Sequence, residues 1–369
     1  MMAGIKDFVS KYRWWVFYLL VMLLYTLIMK ESSNADALST FRYVDISLET
    51  VKNNWNTWSS RMIIEPPMWF FSRHIGLFKV TNFLVCALIL VCFKKLFKRA
   101  DAAAIVCVLL LFPMHEMNSA GWIATLTNYL WPACSGLISY CAIKEIIAQG
   151  SDKRVAGDAS VRKRNLPLCM VSLLTTIHAA NSEQISVVFS IGVGCLIVYG
   201  LITHRYCWFL LLPYEVIAAG ECIMHAICPG NKARTAAAAL IYMRDFGQKT
   251  FVEKVILGFR ETGLFLTTQS VVFLVLVLVV AFYGALKFGG EQLKKDENRV
   301  LLTVTMLPAT LCLLLRLKPL FYSQFGAFYD AFEINNHIYA HNFFEVRAYV
   351  PFIYYMVIFV ALACSLILL

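Results

Sequence analysis

Apolar residues run through this chain in blocks about as long as a bilayer is thick, and polar residues gather in the short stretches between them. The blocks fall at 14–29, 74–93, 102–117, 130–148, 166–180, 185–203, 207–226, 262–286, 300–317 and 348–369. They predict an all-α, polytopic membrane protein of about ten transmembrane helices, with 102–117 and 166–180 among the shortest. One stretch breaks the pattern. In "GWIATLTNYLWPACSGLISY", from Gly121 to Tyr140, Thr125, Thr127 and Asn128 interrupt an apolar run. The run resumes at a Trp131-Pro132 pair suited to opening a new helix. Between blocks, Ile46, Val51, Trp55, Trp58 and Met62 recur at helical spacing, which predicts an amphipathic helix lying flat on the outer leaflet with Trp at the headgroups. A second apolar stripe, Phe251, Val255, Phe259 and Leu264, follows the alanines after Thr235.

Composition agrees with this pattern. Hydrophobic residues make up 60% of the 369 and charged residues only 15%, against roughly 25% in soluble domains. The mean hydropathy is +0.67. The formal charge of +10 lies in short tracts beside apolar runs, which excludes nucleic-acid binding and suits membrane topology. The twelve cysteines fall mostly inside apolar blocks and read as small buried hydrophobes. With a cytosolic N-terminus, the basic tracts around Lys94–Arg99, Lys153–Arg164 and Lys287–Arg299 face inward. The first block follows Lys6, Lys11 and Arg13 and has no small-residue cleavage site after it, so it reads as a retained helix. Loops at about 30–73, 227–261 and 318–347, with the notch at 114–130, then face outward. His74, His115, His178, His225, His337 and His341 sort to that side, and His204 alone to the other. No internal repeat or linker is visible, so 1–369 reads as a single unit.

Chemistry-bearing residues gather on the outer side. Asp36, a few residues past the first block, has the place of a general base or a metal ligand at the mouth of a cavity, and equally of a helix N-cap. Arg61 and Arg234 suit bidentate contact with a lipid phosphate, or plain contact with headgroups. His115 with Glu116 and His178 with Glu183 lie near the same surface. Within the seventh block, Glu215 falls near mid-membrane and suits a bond between helices, whereas Glu221 and His225 are four residues apart on one helical face. Glu333, His337, His341 and Glu345 repeat every four residues, and two imidazoles at that spacing can share a divalent metal with a carboxylate. The wet face of an interfacial helix gives the same stripe.

Asp36 after a first helix, "NWNTWSSR" ending at Arg61, "GWIATLTNYLWP" and "PGNKAR" ending at Arg234 together give most of the chain a likeness. It resembles bacterial polytopic proteins related to O-antigen glucosyl transferases, of the GT-C type. The resemblance implies transfer of a sugar from a polyprenyl-phosphate carrier to a cell-surface glycan or glycolipid at the outer face of the cytoplasmic membrane. Asp36 would deprotonate the acceptor hydroxyl, with Glu116, Glu183 and Glu221 as further carboxylates. Arg61, Arg234 and Arg347 would hold the donor phosphate, and Asn128, Tyr129, Trp131, His115 and His178 would face the sugar or acceptor. The sequence departs from the family where paired acids are common, since Asp36 follows Ala35 and leaves a second carboxylate unassigned. A transporter, flippase or polymerase of lipid-linked saccharides shares many of these features. The one-sided placement of ionisable groups and the lack of a repeat favour an enzyme.

Overall fold

The computed structural model describes residues 2–31, 35–97, 102–110, 121–150, 159–204, 206, 208–242 and 245–258. Among them the chain is helical, with no strand. In order come α1 (Met2–Ile28), α2 (Asp36–Ser39), α3 (Leu48–Thr57), α4 (Glu65–Arg73), α5 (Ile75–Leu96) and α6 (Ala102–Leu110). Then follow α7 (Trp122–Thr125), a π-turn over Leu126–Leu130, α8 (Trp131–Gly150), α9 (Ala159–Ala180), α10 (Glu183–Thr203), α11 (Leu212–Ile227) and α12 (Pro229–Tyr242). The expected blocks 262–286, 300–317 and 348–369 lie outside the described residues.

Contacts divide the chain into two compact units. Unit 1 joins Met1–Lys98 to Met117–Ala233, and unit 2 joins Arg99–Glu116 to Arg234–Leu369. Unit 1 holds an up-and-down bundle in which α8 packs on α9, α10 on α11, α5 on α8 and α1 on α5. Three helices, Ile75–Leu96, Glu183–Thr203 and Trp208–Ile227, are long and apolar enough to cross a membrane, and Tyr12–Ile28 and Pro167–Ala180 are shorter apolar helices. Lipid explains their outer faces. Leu77, Val80, Leu84, Leu88 and Val91 are all exposed and form one stripe along α5, an arrangement that water would penalise. The chain is an α-helical membrane protein.

Hydroxyls and amides join the helices where apolar side chains give no preference over lipid. Ser139 on α8 bonds Thr175 at 2.7 Å and the Ser172 carbonyl on α9 at 3.1 Å. Ser172 meets the Tyr214 hydroxyl of α11 at 2.5 Å. Glu215, expected near mid-membrane, sits in the first turn of α11 and takes the Ser190 hydroxyl of α10 at 2.6 Å. The bundle has a basic end. There Lys95 pairs with Glu145 at 2.5 Å, Lys144 caps the Leu96 carbonyl at 3.2 Å, and Lys94 lies over the rings of Tyr12 and Trp15.

From Trp122 onward the notch is a buried helix and not the expected outer loop, while its residues 114–120 lie outside the described residues. Trp122 through Thr127 are all buried, and the π-turn runs straight into α8. Pro132 accounts for the widened turn, since it has no N–H to give to the Asn128 carbonyl, and Trp131 N–H reaches back to Leu126 instead. The polar side chains bond within their own helix, Thr127 Oγ1 to the Ile123 carbonyl at 2.6 Å and Asn128 Nδ2 to the Ala124 carbonyl at 2.7 Å. The amphipathic stretch 46–62 forms a helix only over Leu48–Thr57, where Ser47 Oγ accepts the Thr50 N–H at 3.2 Å. The expected turn at Pro229-Gly230-Asn231 reduces to Cys228, because Pro229 opens α12 where its missing N–H costs nothing.

Candidate functional site

The segment Ser59–Ile64, between α3 and α4, crosses the end of unit 1 opposite the basic end and is bound there by residues from distant parts of the chain. The Asn181 side chain, fully buried at the α9–α10 turn, accepts from the N–H groups of Ile63 and Ile64 at 2.9 and 3.1 Å. Its Nδ2 donates to the Ser60 carbonyl at 3.4 Å and to Glu221 Oε2 at 3.3 Å. Gly230 lies so close to this segment that a Cβ there would stand 2.5 to 2.8 Å from Trp58 N, Ser59 N and the Trp55 carbonyl. Only glycine permits that approach.

Arg61 is the centre of the cluster. Its Nε donates to Glu183 Oε2 at 2.8 Å, its Nη1 to Asn128 Oδ1 at 3.2 Å, and its guanidinium lies 5.9 Å from the centre of the Tyr129 ring. Glu183 is the first residue of α10, where the helix dipole favours its negative charge. The Arg61 and Glu183 side chains are 17% and 25% exposed, so solvent screens the pair only in part. Burial alone would lower the Arg61 pKa, but Glu183 and Tyr129 raise it beyond the ordinary arginine value, and the group is a fixed cation. Its Nη2 makes no hydrogen bond among the described residues. Four residues singled out separately in the sequence therefore meet in one place.

A carboxylate that no sequence pattern marked lies against the head of α7. Glu31, three residues beyond α1, accepts through Oε2 from the N–H groups of Trp122 and Ile123 at 3.0 and 3.3 Å. Its other oxygen, Oε1, is buried with no hydrogen-bond partner among the described residues. Gly121 makes room for it, at φ 95° and with no Cβ to strike the carboxylate. Burial pushes the Glu31 pKa up from 4.5 to about 7, the two N–H bonds pull against it, and the charge of Asp36 adds to the rise.

The other expected residues fall as follows. Asp36 is exposed as the first residue of α2, with Ala35 and not itself at the N-cap. Glu221 faces Asn181 and not His225, whose two nitrogens are engaged elsewhere, Nδ1 with Ser60 Oγ at 2.7 Å and Nε2 with the Ala180 carbonyl at 3.0 Å. His178 joins α9 to α8 through Ser135 Oγ at 2.9 Å. Trp131 is 8% exposed, stacks on Phe78 with centroids 5.8 Å apart, and donates to Asn82 Oδ1 at 3.1 Å, the environment of a core residue. Arg234 lies on α12 in unit 2. His115, Glu116, His337, His341 and Arg347 lie outside the described residues. Among the described residues no group of three or more His, Cys, Asp or Glu could hold a metal ion. No family model matches the chain, and neither a curated protein nor a solved structure is similar to it.

Proposed function

We propose that the chain is a GT-C type glycosyltransferase of the bacterial cytoplasmic membrane, built on about ten spans, that moves a sugar from a polyprenyl-phosphate donor to a glycan or glycolipid at the outer face. The observation that carries the reading is the meeting of Arg61, Glu183, Asn128 and Tyr129 at the end of unit 1 opposite Lys94, Lys95 and Lys144. A basic end belongs in the cytosol, so the cluster faces outward. Arg61 offers a fixed positive charge and, at Nη2, N–H groups with no hydrogen-bond partner among the described residues to the donor phosphate. Asn128 and Tyr129 beside it supply an amide and a ring, the usual partners of a sugar.

Two carboxylates compete for the proton of the acceptor hydroxyl. Asp36 is the exposed one and the one the resemblance implies. Glu31 is the half-buried one, with Oε2 held by the Trp122 and Ile123 N–H groups, Oε1 without a hydrogen-bond partner among the described residues, and a pKa that burial pushes up toward the range of a general base. The test is glycan modification in cells lacking the native protein, with blots showing equal amounts of Asp36→Asn and Glu31→Gln in the membrane. Losing the general base is expected to lower transfer by about a hundredfold to ten-thousandfold. The variant that does so names the base. Near-normal modification by both removes these carboxylates from catalysis and returns the transporter or flippase reading.

A further inference from the structure

Two turns grip the loop that carries Arg61, and the chemistry of the grip fixes which atom donates. The Ala180 carbonyl can only accept, so a neutral His225 ring carries its hydrogen on Nε2, 3.0 Å away. His225 Nδ1 is then a lone pair, and the Ser60 hydroxyl donates to it at 2.7 Å. The same hydroxyl oxygen accepts from Asn231 Nδ2 at 2.8 Å, while Asn231 Oδ1 accepts from Ser60 N at 3.4 Å. Asn231 Nδ2 also meets the His225 carbonyl at 3.1 Å. The Ser–His contact resembles an activated nucleophile, but Ser60 is 1% exposed and no substrate carbon reaches it.

We propose that His225 and Asn231 are positioning residues, which fix Ser60 so that the next residue, Arg61, stands against Asn128 and Glu183 with its Nη2 toward the donor's phosphate. The proposal rests on the phosphate role of Arg61 given above. An arginine side chain is long, so a small backbone rotation at Ser60 swings the guanidinium, and a misplacement of about 1 Å at a reacting centre costs about a hundredfold in rate. His225 and Asn231 act at a distance, through Ser60.

Purified full-length protein in detergent is titrated with decaprenyl monophosphate and, as a control, with decaprenol, and its melting temperature is measured alone. Ser60→Ala removes the shared hydroxyl, leaves the backbone bond to Asn231 and adds no charge, so it keeps the proposal testable if His225→Ala fails to fold. Both variants are expected to bind the phosphate lipid about tenfold more weakly, the effect of about one hydrogen bond, with decaprenol binding unchanged. His225→Asn, which keeps an acceptor for Ser60, is expected to recover most of the loss. Wild-type phosphate affinity in folded Ser60→Ala overturns the positioning role, and so does an equal loss of both lipids. Undiminished phosphate affinity in Arg61→Ala instead overturns the reading beneath it.

Discussion

At Gly121 a hydrogen atom stands where any other residue would put a carbon into the Glu31 carboxylate. Gly121→Ala also meets a backbone at φ 95° and ψ 154°, an essentially glycine-only conformation that costs about 1–3 kcal/mol for a residue with a Cβ. A lower melting temperature in detergent is expected, and an unchanged one would mean that the Glu31 contact is not made. Glu31 itself links stability to pH. Its pKa rises on folding, chiefly through burial, so its contribution to the fold is complete below 4.5 and is lost as the pH climbs through about 7. Melting temperature should therefore fall between pH 5 and pH 8 in the wild type and fall less in Glu31→Gln, whose amide oxygen still accepts from Trp122 and Ile123. Equal slopes would place the carboxyl in water.

Among the elements, the turns hold more of the site than the helices do. Asn181 alone satisfies two backbone N–H groups of the Arg61 segment. Asn181→Ala orphans both, at about 1–3 kcal/mol for the buried Ile64 donor and less for the part-buried Ile63 donor, which water can reach. Denaturation in detergent should show a loss of about 1–4 kcal/mol on that basis, and a loss within that of a surface substitution would break the account of the turn. Elements decided by length and apolarity were legible in the sequence. The blocks at 74–93, 185–203 and 207–226 stand as α5, α10 and α11 with its short lead-in, because a bilayer admits few alternatives. The notch was legible as unusual but not as buried. Thr127 and Asn128 return their hydrogen bonds to their own helix and so can be buried, which periodicity cannot reveal. Cys228 was hidden for a related reason, since Pro229 marks the head of a helix as well as a turn.

Across the whole molecule, the members of the site were readable singly and their meeting was not. Arg61 is 122 residues from Glu183 and 67 from Asn128, so no local spacing joins them. The pairing of Glu221 with His225 failed on the opposite ground, because helical spacing allows a contact that stronger distant partners override. Glu31 carried no motif at all. Its place just past α1 shows its character only once Trp122 and Gly121 are brought against it.

The cluster around Arg61 is the centre of the functional reading, and a transferase and a flippase part company over what leaves the donor. Proteoliposomes containing the full chain, supplied with a labelled polyprenyl-phosphate hexose and a glycan acceptor, separate the two. The expected result is label on the acceptor with free polyprenyl phosphate left behind, lowered about a hundredfold in Arg61→Ala, as for loss of a group that stabilises developing charge. Movement of the intact lipid-linked sugar across the bilayer, with no label transferred and no effect of Arg61→Ala, would contradict it.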